Sequence, residues 1–366
     1  MMTYVYTILG LLCLSLTGAF AQLTSRIDCF YPASWEGRET RIVVKPRDRE
    51  MFFDTAFVVN RHAIFTITVD EPCPAYIWID DYPEDVQLFI DAPAISVAID
   101  PVNLPAPLFT GSFSTDIWRQ KLQQDHELAE EQEALRVERM TNLPLDSLHA
   151  GSFEQFTDSL RAGAEYLLRK HILDHPTAPS SWYLFAANFP MASFAETKKA
   201  FDALSAFQAL PSYQIIQQKL EHNRPGQQAP DFTLKSVTGN DSITLSKLPG
   251  DLLLIDFTVL FGVDRDTHHK RLTRLHKQYQ AAGLTILSIG ADFLLKDVEN
   301  APELITKIRQ QYPWRLGAVA EQATTLDAYL YKGWHDTILL DKNRRIVAYN
   351  LPFDGLEREI RQRLSK

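Results

Sequence analysis

The spacing of apolar residues along the chain changes character twice. From about residue 25 to 112 the apolar positions fall in short β-branched or aromatic runs, at 41–45, 63–69, 76–79 and 86–90, separated by clusters of Pro, Asp and Glu. A further run at 94–99 alternates apolar and small residues with a period of two. Short strands so closely spaced predict a small β-sandwich of about 85 residues.

Between Thr115 and His222 strand signals are few, and apolar residues recur at helical spacing, as at Phe153, Phe156, Leu160, Tyr166 and Leu167. Pro144, Pro176, Pro190 and Pro211 divide this stretch into several helices. Residues 125–139 are mostly charged, the pattern of a solvated helix.

After Pro225 and Gly226 the pattern changes again. The unbroken apolar run 252–255 into Asp256 and Phe257 predicts a strand buried on both faces. A helix follows with Leu272, Leu275 and Tyr279 on one side, then a strand at 284–289 and a helix around Leu304, Ile305 and Ile308. A short helix is predicted at 326–331, then strands at 337–340 and 345–348 joined by the polar link 341–344. Leu356, Ile360 and Leu364, at i, i+4 and i+8, mark a closing helix. The order β-α-β-α-β-β-α gives an α/β sandwich on a mixed sheet.

Composition narrows the function. The 366 residues carry 46 acidic and 37 basic side chains, a formal charge of −9, with no basic block. That excludes nucleic acid as the expected partner, because clustered Lys and Arg supply most of that affinity. Gly-x-Ser-x-Gly, a phosphate-cradling Gly-rich loop and His-Glu-x-x-His are all missing. Three cysteines are too few for a disulfide-rich scaffold or a four-cysteine zinc site.

Residues 1–21 contain no charged side chain and end in Ala19, Phe20 and Ala21, the small-x-small pattern of a signal-peptidase site. Gln22 is then the expected mature start, with no membrane span after cleavage and a place in the periplasm or cell envelope. Cys13 leaves with this leader. Cys29 and Cys73 remain, either joined in a structural disulfide or buried as two unpaired thiols.

The segment Gly226 to Leu234 (GQQAPDFTL) resembles the G-x-x-A-P-D-F-x-L opening of the thioredoxin-like group that includes peroxiredoxins and envelope thiol–disulfide oxidoreductases. Thr238 and Gly239, then Ile243 to Leu248, are similar to its next hairpin, and the run to Asp256 and Phe257 resembles the strand that delivers its active site. Leu108, Phe109, Thr110, Gly111 and Ser112 resemble the N-terminal β-domain fused to such proteins in Gram-negative envelopes. The resemblance implies a leader at 1–21, a β-sandwich domain at 22–112, a helical connector at 113–224 and a thioredoxin-like domain at 225–366.

The family's chemistry rests on a Cys-x-x-Cys at a helix N-terminus and a cis-proline facing it. The corresponding positions here hold Gly262, Arg265 and His335, and no cysteine occurs from residue 74 to 366. Disulfide exchange and peroxidatic chemistry by this domain are therefore not expected. The expectation is a non-redox binding or scaffolding protein of the envelope, with a protein or peptide partner and no cofactor. Asp264, Asp266, His268 and His335, with His269 and Asp336 nearby, form an alternative: a site for a divalent metal such as zinc or copper, or for another ligand. A second alternative is residual redox function through Cys29 and Cys73. Trp314, Trp334 and Phe261 are candidates for an aromatic rim on a binding surface.

Overall fold

The computed structural model describes residues 22–80, 82, 84–102, 106–142, 150–191, 193–237, 241–258, 265–290, 302–318, 328–330 and 336–365. Its first part is all β: β1 (Leu23–Phe30), β2 (Glu39–Val44), β3 (Phe52–Phe57), β4 (His62–Val69), β5 (Cys73–Ile79), β6 (Val86–Ile90), β7 (Ala94–Ala98) and β8 (Leu108–Thr110). They form two four-stranded sheets, ordered β4-β1-β7-β8 and β3-β2-β5-β6. Period-2 alternation explains why the two sheets pack. In β4, Ala63, Phe65, Ile67 and Val69 point inward while Ile64, Thr66 and Thr68 face out. Ile27, Phe65 and Val97 of one sheet share a core with Ile42, Ile77 and Leu88 of the other.

Of the two alternatives for Cys29 and Cys73, the structure has the unpaired thiols. Cys29 lies in β1 and Cys73 in β5, on different sheets, and both are free, buried thiols in the sandwich core. They pack as small apolar side chains. Gly111 has a plain geometric reason: its φ is +93°, and a Cβ there would meet the Ala94 carbonyl oxygen at 2.1 Å.

Helices α1 (Thr115–Asn142), α2 (Ala150–Asp174), α3 (Pro179–Ala187), α4 (Phe194–Ala203) and α5 (Pro211–His222) follow. The charged stretch of α1 is a solvated helix, with residues 123–127 and 133–138 exposed. Helix α4 starts in a capping box in which Ser193 and Glu196 satisfy each other's backbone N–H groups. Helix α5 starts with Pro211 in its first turn, but its N-cap residue, Leu210, offers no side-chain acceptor. Glu71 from the turn between β4 and β5 takes that role, accepting from Ser212 N (2.8 Å) and Ser212 Oγ (2.6 Å). Trp182 Nε1 donates to the same Ser212 hydroxyl at 2.9 Å.

The last part contains β9 (Thr233–Ser236), β10 (Ser242–Thr244), β11 (Leu252–Thr258), α6 (Arg265–Tyr279), β12 (Leu284–Gly290), α7 (Pro302–Gln311), β13 (Arg315–Ala318), β14 (Thr337–Asp341), β15 (Ile346–Tyr349) and α8 (Phe353–Leu364). Its seven-stranded sheet has the order β10-β9-β13-β12-β11-β14-β15. Strand β11 pairs in parallel with β12 and antiparallel with β14. A β-α-β unit continued by an antiparallel hairpin and a closing helix is the thioredoxin-like arrangement. The helical face of α6 is as expected, with Leu272, Leu275 and Tyr279 buried.

The GQQAPDF segment acts as a clip. Gly226 N and Ala229 N donate to the carbonyls of Ile346 and Arg344, and Asp231 accepts from the backbone N–H groups of Phe232 and Ser246, each at 3.0 Å. The predicted helix at 326–331 is not seen at 328–330, which form a turn; Tyr329 and Leu330 are instead drawn into the core, with the Tyr329 hydroxyl donating to the Pro230 carbonyl. The hairpin that the resemblance implies is formed by β9 and β10, which pair antiparallel, whereas β13 is a short strand that the apolar pattern does not reveal. No helix among the described residues is long and apolar enough to cross a membrane.

Candidate functional site

Strand β11 runs through the middle of the sheet, and its side chains divide by parity. Leu253, Ile255 and Phe257 join the core that also contains Trp182 and Phe185, whereas Leu252 and Leu254 face the side where Leu272 and Leu275 of α6 pack. Asp256 shares the parity of Leu252 and Leu254 and is completely buried. A carboxylate there has to be matched by donors.

Two elements supply them. Ser288 is the direct neighbour of Asp256 across the β11–β12 pairing, and its Oγ donates to Asp256 Oδ2 at 2.7 Å. His268, one turn into α6, places Nε2 2.5 Å from Asp256 Oδ1, with a side-chain exposure of 15%. Trp314, just before β13, donates from Nε1 to Ser288 Oγ at 2.9 Å. The result is a continuous chain, Trp314–Ser288–Asp256–His268, that spans β13, β12, β11 and α6. Two hydrogen bonds fix the carboxylate, and the carboxylate in turn fixes the imidazole.

A second layer of rings backs this chain. The His269 ring centroid lies 4.6 Å from Tyr312 and 5.3 Å from Trp314, and that of His276 lies 5.4 Å from Trp314. Burial holds the His276 imidazole below its ordinary pKa, favouring the neutral ring. Trp314 is therefore a core residue, 7% exposed, and not part of an exposed rim. Trp334 and Phe261 lie outside the described residues.

Of the residues expected at the lost dithiol, Gly262, Asp264 and His335 lie outside the described residues. Arg265 and Asp266 begin α6 without described side chains, and Asp336 precedes β14, accepting from Phe257 N at 2.9 Å. Of Asp264, Asp266, His268 and His335, His268 alone has a described side chain, and it is held by Asp256, while the His269 ring packs against Tyr312 and Trp314. Among the described residues no group of three His, Cys, Asp or Glu side chains is gathered for a metal. Sequence reasoning missed Asp256, Ser288 and Trp314 as a set. The available signal was a charged residue inside an otherwise apolar strand, which is tolerated only with a dedicated partner.

The two thiols stand apart from this site. Burial pushes both Cys29 and Cys73 up to about 12, so neither forms the thiolate that attacks disulfides.

No protein-family model matches the chain, and no curated protein matches it in sequence. Solved structures do. The thioredoxin domain of a thiol-disulfide oxidoreductase from Bacteroides vulgatus aligns over 38% of this chain and 96% of its own, with 21% identity and a TM-score of 0.33. A putative thiol:disulfide interchange protein DsbE from Chlorobium tepidum covers 38% of this chain and 97% of its own, with 21% identity and a TM-score of 0.32. A thiol-disulfide oxidoreductase from Bacteroides fragilis covers 37% and 98%, with 20% identity and a TM-score of 0.31.

Proposed function

We propose that this is an exported binding or scaffolding protein of the cell envelope, built on a thioredoxin-like fold without thiol chemistry. The observation that carries the reading is the placement of cysteine. The segment with the thioredoxin-like arrangement has none, and Cys29 and Cys73 are 0% and 1% exposed in the sandwich core. The expected leader at 1–21 places the chain in the periplasm or envelope, where a protein or peptide is the expected partner. On this reading the buried Asp256 serves to anchor His268.

Insulin reduction and thiol titration on the purified protein test it. No turnover is expected. Appreciable dithiol turnover, abolished by Cys73→Ser, would overturn the reading.

One observation favours a second reading. A histidine that ligates a metal usually gives its other ring nitrogen to a carboxylate, the relation Asp256 has to His268. A zinc or copper ion held by His268 with Asp264, Asp266 or His335 fits that relation. Metal analysis of untagged protein, with thermal shift on adding zinc, decides it. Less than about 0.1 metal per chain and no shift would remove it, since a bound metal stabilises the state it binds.

A further inference from the structure

The outer face of the β3-β2-β5-β6 sheet carries rings and paired charges in ordered rows. Strand register sets the layout: Phe53, Val43, Tyr76 and Gln87 form one cross-strand row, Thr55, Arg41 and Trp78 the next, and Phe57 with Glu39 a third. These positions alternate with Ile42, Val44 and Ile77, which point into the sandwich core. Phe53 and Phe57 are 63% and 59% exposed, although each large ring left in water forgoes burial worth about 2 kcal/mol. The following row, Pro74 with Phe89, is covered: Phe89 packs against Trp118 of α1 and Tyr183 of α3. The helices thus close one end of this face and leave three rows open.

The polar groups on the open rows are matched to one another. Arg41 lies between two rings, 5.0 Å from the Phe53 centroid and 5.5 Å from that of Trp78, and it pairs with Glu39 at 2.8 Å. Lys45 Nζ lies 4.8 Å from the Tyr76 centroid. These contacts hold the rings and the cations in fixed relative positions.

We propose that this face binds an uncharged glycan strand. A pyranose ring presents an apolar C–H face and a rim of hydroxyls. Phe57, and the faces of Phe53, Tyr76 and Trp78 not taken by Arg41 and Lys45, supply flat apolar surfaces for the first. Arg41, Glu39, Gln87 and Thr55, interleaved between them, supply donors and acceptors for the second. A docked protein is the competing occupant, because exposed rings and Arg are enriched in protein interfaces too; Glu is depleted there, and here Glu39 is paired with Arg41 on the open face. A polyanion such as single-stranded nucleic acid fits less well, since Glu39 neutralises Arg41 and the chain carries a charge of −9. The site lies on the sandwich and does not depend on the reading of the thioredoxin-like part.

Affinity electrophoresis of the whole protein through gels containing soluble β-glucan, xylan, mannan or dextran tests the proposal. Retardation is expected in at least one neutral polysaccharide, with none in polygalacturonate or single-stranded DNA. Phe53→Ala removes an exposed ring, and its melting curve shows whether the fold is kept; its retardation is expected to weaken about fivefold or more. Ile215→Ala, an exposed apolar residue on α5, leaves retardation unchanged. Retardation by none of the neutral polysaccharides would overturn the proposal. So would retardation only by the acidic probes, or equal retardation of a folded Phe53→Ala protein.

Discussion

His268 Nε2 lies 2.5 Å from Oδ1 of the fully buried Asp256, so the first turns of α6 are tied to the central strand by an imidazole–carboxylate contact. Removing one partner of such a contact strands the other. Asp256→Ala leaves His268 and the Ser288 hydroxyl without their acceptor, and a loss of about 3–5 kcal/mol is expected in urea unfolding. His268→Gln, which keeps a donor near the carboxylate, is expected to lose less than half of that. Equal midpoints for wild type and Asp256→Ala would refute the contact.

A different histidine contributes to the acid sensitivity of stability. His171 on α2 is 6% exposed, and its pKa is lowered to about 4, first by burial, then by the neighbouring His175 and Lys121, against the opposing pull of Asp125 and Asp174. A lowered pKa means that the unfolded chain binds more protons between about pH 4 and 6.5, so stability rises with pH across that window and falls on acidification. The loss is expected to be on the order of 2 kcal/mol between pH 7 and 4.5. His171→Leu should flatten that part of the profile in guanidinium titrations at the two pH values.

Thiol accessibility distinguishes free cysteines from a disulfide. In native protein beginning at Gln22, Cys29 and Cys73 are expected to resist Ellman's reagent, since both are buried and pushed up to about 12. In guanidinium without reductant, both are expected to react fully. A denatured chain that still shows no thiols would restore the disulfide.

Glu71 caps a helix from another part of the chain. Because Leu210 cannot cap α5, Glu71→Ala leaves the Ser212 N–H and hydroxyl without their acceptor. A loss of about 1–2 kcal/mol is expected, the range for deleting an N-cap acceptor. Glu71→Gln keeps an acceptor oxygen and is expected to retain most of the stability. Thermal unfolding of the two variants separates the cap from the charge.

The long apolar elements were legible because their burial is uniform or strictly periodic. Strands β4, β6, β11 and β12 and the buried faces of α6 and α8 follow from spacing alone. Strand β1 was not, because its outward residues Arg26 and Asp28 interrupt the apolar signal while Ile27 and Cys29 face inward. Strand β13 is only four residues long and gains its place from β12 and β9, which are distant in sequence, while the equally short β9 and β10 are marked by the resemblance and not by their apolar pattern. The turn at 328–330 illustrates the same limit: Tyr329 and Leu330 have the spacing of a helix but are pulled into a core built by β9, β11 and β14. At the candidate site, His268 was legible as a residue type near a lost motif. The rest of the hydrogen-bonded chain was not, since only the β11–β12 register brings Ser288 beside Asp256, and only the placement of α6 brings His268 to that carboxylate.

One apolar core runs from Phe89 of the sandwich through Trp118, Trp182 and Phe201 of the helices to Leu253, Ile255 and Phe257 of the last sheet. Asn223, at the end of α5, adds polar stitches, donating to the Ala328 carbonyl and accepting from the Tyr349 hydroxyl. The three parts of the chain are thus not beads on a string. A fragment cut before Pro225 or Gly226 would open this core to water on both sides, and each half would carry a sticky apolar face. The three parts are therefore expected to unfold in one transition, since none can leave without exposing the core it shares with the others.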